Sequence, residues 1–215
     1  MSKRGLALIL AICAVLALIS AFALDRPLAL AVHQSGIERA AWIVQGREFL
    51  DHFTGHGIAY GYGKFLAGGL FIAIGLVWSL ARRGSRMGPG LAFAGLVQVA
   101  TIIAGGLIKD LFGRMRPYQL IEHNDWSHVW FAGGDSFPSG HNSFFWGLFL
   151  PLAYAFPKYR IPLLIVPVFI AFARIDENYH FLSDVLAAIA LAALMTLIAA
   201  TLFGRWIRPT FGKRT

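Results

Sequence analysis

Four stretches of this chain, residues 6–24, 65–81, 88–108 and 185–203, contain no charged side chain at all. A helix needs about 20 apolar residues to cross a hydrocarbon layer of ~30 Å, and only a structure that satisfies its own backbone is tolerated there. These runs have that length, and nothing else constrains the fold as strongly. The composition agrees, with 57% of the 215 residues hydrophobic and 14% charged, against about 45–50% and 25% in a soluble domain. The expectation is an all-α protein held in a bilayer. A formal charge of +8 would suggest nucleic acid in a soluble chain, but here the basic residues cluster at the ends of apolar runs, as membrane topology demands. The single Cys13 lies inside such a run and cannot form an intramolecular disulfide.

The start Ser2-Lys3-Arg4, with Ala21-Phe22-Ala23 ahead of Leu24-Asp25, has the outline of a signal peptide. The apolar core of such a peptide is usually only about 7–15 residues, so residues 6–24 are expected to be a retained spanning helix. Between 25 and 64 the pattern is mixed. Ile37, Ala40, Ala41 and Val44 recur at helical spacing with Glu38, Arg39, Arg47, Glu48 and Asp51 between them, and Trp42 and Phe49 are placed as anchors. Short amphipathic helices lying along the interface fit this pattern. Gly55, Gly57, Gly61 and Gly63, with Tyr60 and Tyr62, mark a flexible approach to the next span. His33, His52 and His56 have no acidic or cysteine partner at ligand spacing, and are read as solvated or interfacial rather than as metal ligands.

Two further apolar segments, 143–156 and 161–172, are short for a bilayer, so the polar residues flanking each must continue its helix. Six spans result, with glycines such as Gly90, Gly95, Gly105 and Gly106 allowing close helix contact. No repeat, low-complexity tract or linker divides the chain, so residues 1–215 are expected to form one membrane-embedded domain. Arg82, Arg83 and Arg86, Lys158 and Arg160, both termini and the tail Arg205, Arg208, Lys213 and Arg214 fall on one side, which the positive-inside rule makes cytoplasmic. The polar segments around 109–117, 137–141 and 174–184 then meet on the outer side.

Those segments carry chemistry. Lys109 and Arg116 are seven residues apart, two helical turns, so they can share one face of a helix continuing out of the third span, with Pro117 stopping it. With Arg174 they could grip a phosphoryl group by three oxygens. His141 stands where Phe137-Pro138-Ser139-Gly140 opens a helix, beside free backbone N–H groups that suit an anion. His180 and Asp184 lie four apart, and a carboxylate on one ring nitrogen leaves the other unprotonated. The acids Asp110, Asp135, Asp176 and Glu177 are too few and too scattered for a two-metal site, and the last two are read as a solvated loop. The polar stretch 118–134 reads either as a lid over the site or as irregular interfacial packing.

The run Lys109-Asp-Leu-Phe-Gly-Arg-Met-Arg116-Pro117, then Pro138-Ser139-Gly140-His141, then Arg174-Ile-Asp-Glu-Asn-Tyr-His180-Phe-Leu-Ser-Asp184, resembles the three-part signature of the type 2 phosphatidic acid phosphatases. These are integral-membrane lipid phosphatases of the superfamily that also holds vanadium haloperoxidases and soluble bacterial acid phosphatases. The resemblance implies that His180 attacks phosphorus to form a phosphohistidine, that Asp184 orients it, and that His141 protonates the leaving oxygen and then activates water. It implies phosphate binding by Lys109, Arg116, Ser139, Gly140 and Arg174, with the N–H groups of Ser139 and Gly140 included. No metal and no cofactor are implied. Ala173 departs from the pattern, where serine is usual, which removes a supporting hydroxyl beside Arg174.

The expected function is removal of phosphate from a membrane lipid, with undecaprenyl diphosphate, phosphatidylglycerol phosphate, phosphatidate and lipid A as the family's bacterial substrates, at the outer face of the bacterial cytoplasmic membrane. A lipid phosphotransferase would use the same residues, and a non-catalytic anionic-lipid binder or transporter would need the cations without His180. Oligomeric state is left open by glycine-rich spans, which pack within a bundle as readily as between copies.

Overall fold

A computed structural model of the chain describes residues 1–36, 39–56 and 62–207, apart from the side chains of 205 and 206. Ile37, Glu38, Gly57, Tyr60, Gly61, Arg208, Lys213 and Arg214, singled out above, lie outside the described residues. All the regular elements among the described residues are helical. The first is α1 (Lys3–Ile19), which passes through a widened π-helical turn (Ser20–Leu24) into α2 (Asp25–Gln34). After α3 (Ala41–Thr54) come α4 (Gly63–Ala81) and α5 (Met87–Phe112), then the short α6 (Pro117–Glu122). The chain ends in α7 (Gly140–Ala155), α8 (Arg160–Asp176) and α9 (Leu182–Ile207).

Among the described residues, four helical stretches are long and apolar enough to cross a membrane: Lys3–Gln34, Gly63–Ala81, Met87–Glu122 and Leu182–Gly204. At 16 and 17 residues, α7 and α8 are shorter than any of these. Both run beyond their apolar cores as expected, α7 beginning at Gly140 and α8 continuing through Arg174 to Asp176.

The centre of the bundle is α7, buried almost without interruption from Asn142 to Tyr154. It packs against α5, α8 and α9, while α4 lies on α5 and α1 on α9. Leu6, Phe93, Val97, Trp146, Leu150 and Tyr154 fill the space toward α1 and α9, and Phe144, Phe145, Leu148 and Ile170 fill it toward α8. Glycines set how closely α4 and α5 approach: a Cβ on Gly95 would stand 2.4 Å from the Gly68 carbonyl oxygen, and one on Gly75 would stand 2.5 Å from the Ala92 nitrogen. Such contact is how helices associate where lipid is as apolar as leucine. Outward, Leu8, Val15, Phe22, Val77, Leu80, Ile161 and Leu202 are all exposed. That apolar belt would aggregate in water and is at home in hydrocarbon.

One reading of the N-terminal third changes and one holds. Residues 25–34 do not form a separate interfacial helix but prolong the first span, because the helix is not broken at 20–24. The amphipathic reading holds for α3, where Trp42, Phe49 and Phe53 are exposed while Ile43 and Asp51 are buried.

Candidate active site

Helix ends build the site. The C-termini of α5 and α8 and the N-termini of α7 and α9 lie at one end of the bundle, and residues in or next to their terminal turns line a cavity of ≈ 440 Å³ together with Arg47 from the middle of α3 and His56 just beyond its end. Its walls include Lys109, Arg116, Gly140, His141, Arg174 and His180, so six of the eight residues singled out from the sequence line one cavity. A groove of ≈ 540 Å³ between α1, α5 and α9, walled by residues such as Ala14, Ile108, Phe112 and Leu191, has no ionisable lining and supplies none of this chemistry.

Asp184 and Ser139 stand just behind the wall, both fully buried. His180 precedes α9 rather than lying on it, and Asp184 sits in the first turn of that helix. One Asp184 carboxylate oxygen, Oδ2, accepts from the Ser136 hydroxyl at 2.6 Å and the Phe181 N–H at 2.9 Å, and lies 3.5 Å from His180 Nδ1. Nε2 is therefore the ring nitrogen left for a ligand. Burial drives the His180 pKa from 6.5 down to about 3, despite the opposing pull of Asp184, so the ring is neutral at physiological pH.

This has a measurable consequence. A histidine that is neutral in the fold but titrates near 6.5 once unfolded stabilises the protein above pH 6.5, and that stability is lost as pH falls toward 3. The loss approaches ~1.4 kcal/mol per pH unit. Thermal unfolding in detergent is expected to occur at lower temperature from pH 6.5 to 4.5, with a shallower slope in His180→Asn; equal slopes would contradict the assignment.

The Asp184 Oδ1 atom accepts from Arg114 Nη1 at 2.5 Å. Arg114 is 1% exposed, its other amino group reaches Asp25 Oδ2 at 2.7 Å, and it lies between the rings of Trp130 and Phe181 at 4.1 and 4.0 Å. Ser183 bridges the pair, receiving from Arg114 at 2.6 Å and donating its hydroxyl and N–H to Asp25. An ionised side chain this deep is sustained by the two carboxylates it bridges, although its Nε has no hydrogen-bond partner.

The path from Lys109 to Arg116 differs from expectation. The last turn of α5 ends at Phe112, Gly113 takes a left-handed conformation with φ 46°, and Pro117 opens α6 instead of stopping α5. The reason is that proline at the first helical position loses no hydrogen bond and has its φ preset. Lys109 still comes beside Arg116: its ammonium donates to the Asp135 carbonyl, and the Asp135 carboxylate takes the Arg116 guanidinium at 2.7 and 2.8 Å. No residue of the stretch 118–134 is among the walls of the cavity. Met115, Phe131, Ala132 and Gly134 are stitched by backbone hydrogen bonds across 112–115 and 129–134, which presses Trp130 onto Arg114.

Ser139 caps α7, accepting from Asn142 Nδ2 at 3.1 Å, and its own N–H donates to the Asp184 carbonyl at 3.1 Å. That N–H is already committed, so the anion donors expected from Ser139 shift to the first-turn N–H groups of Gly140 and His141. A Cβ at Gly140 would meet no protein atom within 4 Å, so packing does not require the glycine; it leaves open space.

Asp176 and Glu177 are not a solvated loop; they are 8% and 2% exposed. Glu177 receives Arg174 and, at 2.6 Å, Arg47 Nε, and these pairs rather than local polarity decide its burial. Arg174 and Arg116 both lie over the Tyr179 ring, at 4.4 and 5.3 Å.

His56 is likewise not solvated. The left-handed Gly55 ends α3 and tucks the His56 ring 4.1 Å from that of His141 and 4.7 Å from Phe144. Asp51 Oδ2 lies 3.1 Å from His141 Nε2 and 2.8 Å from Arg47 Nη1, and Asp51 Oδ1 lies 3.6 Å from His56 Nδ1. Burial pushes the Asp51 carboxyl up, but the hydrogen bond and charge of His141, then His56 and Arg47, outweigh this and hold it below its ordinary value. Among the described residues, Asp51, His56 and His141 bring ligand-type atoms within 4.8 Å of one another. With Arg47 on the carboxylate and Arg174 in the same cavity, the surroundings repel a cation, and the cluster is read as a hydrogen-bonded one. Sequence reasoning missed Asp51, Arg47, Arg114, Asp25 and Tyr179. A signal existed for three of them: Arg47 and Asp51 are an i, i+4 pair, and Asp25 is a charge at the end of an apolar run.

The chain is 31% identical over 112 residues to a Lipid A 1-phosphatase of Rhizobium johnstonii, an alignment covering 49% of this chain and 46% of that protein. It is 28% identical over 122 residues to the Lipid A 1-phosphatase of Rhizobium etli, covering 54% and 53%. The chain thus spans about half the length of the curated relatives it matches. No solved structure matches it. A family model described as the PAP2 superfamily matches residues 90–208, more than half of the chain and the whole run from Lys109 to Asp184 that supplies the motif residues of the cavity; the chain belongs to the PAP2 superfamily.

Proposed function

We propose that the protein is a membrane-embedded phosphatase that removes phosphate from a lipid through a phosphohistidine. The observation that carries this reading is His180, neutral and held through Nδ1 by Asp184, beside Lys109, Arg116 and Arg174 in one cavity. In the reaction His180 Nε2 attacks phosphorus and the bond to the lipid oxygen breaks. The departing oxygen takes its electron pair and a proton from His141. Water then gives a proton to His141 and forms the new P–O bond, and the P–N bond breaks back to His180. Charge growing on the phosphoryl oxygens is met by the three cations and by the N–H groups at the start of α7, which are fixed before the reaction begins. On this reading His180, His141 and Asp184 are the catalytic set. Lys109, Arg116, Arg174 and Gly140 hold the phosphate, while Ser139 acts from behind by capping α7.

All six long helical segments would cross the bilayer, α7 and α8 included, with residues 1–215 as one domain. The loops bearing Arg82, Arg83 and Arg86, and Lys158, lie at the opposite helix ends from the cavity. The positive-inside rule then turns the site outward from the bacterial cytoplasmic membrane. The named relatives make lipid A 1-phosphate the first substrate to test. Purified protein would be given lipid A, undecaprenyl diphosphate, phosphatidylglycerol phosphate and phosphatidate, and free phosphate measured. Release from at least one lipid is expected. Binding without release from any would overturn the reading, and label passing to a second lipid without free phosphate would show a transferase.

Phosphate must displace the Asp135 carboxylate from Arg116. That carboxylate is 60% exposed, and an exposed pair of this kind is worth ~0.5–1 kcal/mol. Asp135→Asn is therefore expected to lower KM about two- to five-fold with little change in kcat; a raised KM would show that Asp135 helps to bind substrate.

A further inference from the structure

We propose that Asp51 is a positioning residue for His141, forming a second carboxylate–histidine pair opposite Asp184 and His180; the inference rests on the phosphohistidine reading above. Asp51 reaches the site from α3, which lies outside the stretch matched by the family and 90 residues before His141. Its Oδ2 lies 3.1 Å from His141 Nε2, leaving Nδ1 as the nitrogen that can face the lipid oxygen. The carboxylate is not placed there by chance packing. Arg47, one turn earlier, holds the same oxygen at 2.8 Å and ties α3 to Glu177 at 2.6 Å, and Glu177 in turn holds Arg174. The other Asp51 oxygen is buried without a hydrogen-bond partner, facing His56 Nδ1 at 3.6 Å. The outer face of α3 carries Trp42, Phe49 and Phe53 into the surroundings. An interfacial helix with an anchored outer face and this inner face serves to deliver Asp51.

Asp51 accepts the Nε2 proton of His141 and stabilises the imidazolium, whose second proton, on Nδ1, is the mobile one, as a carboxylate does behind any histidine that must act as acid and then base. During phosphorylation of His180 the Nδ1 proton passes to the leaving oxygen as the P–O bond breaks, and the charge lost by the ring is balanced by that gained by the oxygen. During hydrolysis the ring recovers one proton from water. Asp51 touches neither phosphorus nor lipid and acts only through His141.

A leaving group that departs without protonation does not need this help. The first-turnover burst is measured with p-nitrophenyl phosphate, whose phenolate leaves unaided, and with an alkyl phosphate lipid. Asp51→Asn is expected to slow the lipid burst about 10²-fold and the aryl burst less than about five-fold. Asp51→Glu, which keeps the carboxylate, is expected to recover most of the lipid rate. In a His141→Gln background the Asp51→Asn change is expected to cost nothing further. Equal losses with both leaving groups, or additive losses in the double variant, would overturn the proposal and mark Asp51 as a fold-holding residue. Absence of any burst or protein-bound phosphate in the unaltered protein would instead sink the phosphohistidine reading itself.

Discussion

His180→Asn is expected to abolish phosphate release, lowering kcat by about 10⁴-fold or more, because the side-chain amide cannot replace the imidazole Nε2 as nucleophile, while His141, the other histidine backed by a carboxylate, serves as the acid and base. Asparagine is close in size and polarity, and Asp184 keeps the Ser136 hydroxyl, the Phe181 N–H and Arg114 as partners, so the fold should survive. Folding is checked by thermal unfolding and chemistry by acid-labile, protein-bound phosphate after a rapid mix with labelled lipid. The unaltered protein should carry label, and the variant none. Phosphate binding should persist in the variant, since Lys109, Arg116 and Arg174 are untouched. Activity retained within ten-fold would favour a lipid binder with incidental hydrolysis over an enzyme.

The second large effect concerns stability. Arg114→Met keeps the length and much of the stacking between Trp130 and Phe181 but leaves Asp25 and Asp184 buried without their cation. Breaking a buried pair in this way costs ~3–5 kcal/mol, since the orphaned charge keeps its desolvation cost and loses its attraction. The variant is expected to accumulate poorly in membranes or to melt well below the unaltered protein in detergent. Asp25→Asn in the same chain should return part of that loss by removing one of the two stranded carboxylates, which a double-variant comparison reads directly. Arg114→Lys should fall between, because a single ammonium cannot bridge two carboxylates and lie flat between two rings at once. Unchanged melting in Arg114→Met would mean that Asp25 and Asp184 are held by other groups.

What could be read from the residues alone was the part in which cost reveals purpose. Lys109, Arg116, His141, Arg174 and His180 stand out because each is polar at the edge of a run where polarity is expensive, and the structure brings all five to one cavity. The apolar runs likewise announced most of the helices. What could not be read depended on distance or on one backbone angle. Pro117 is a helix stop if Gly113 continues the helix and a helix start if Gly113 turns left-handed, and only the fold decides. Glu177 looks solvated until Arg47, 130 residues earlier, is laid against it. His56 looks interfacial for the same reason: its neighbours His141 and Phe144 are remote in the chain. Arg114 sits between two cavity cations in sequence, yet faces inward to Asp25 and Asp184, because the chain leaves the helix at the left-handed Gly113.

The widened turn at Ser20–Leu24 has a use beyond bending a helix. Its closing bond runs from the Asp25 N–H to the Ser20 carbonyl, spanning five residues where an α-helix spans four. Each residue of a regular helix advances the side-chain direction by ~100°, so one residue of slack resets the phase of everything beyond it. With the slack, Asp25 comes round to Arg114; a strictly regular winding would turn the same carboxylate away from it. Five residues of widened winding therefore act as the clutch between a helix whose angle is set by its packing on α9 and a carboxylate whose angle is set by Arg114.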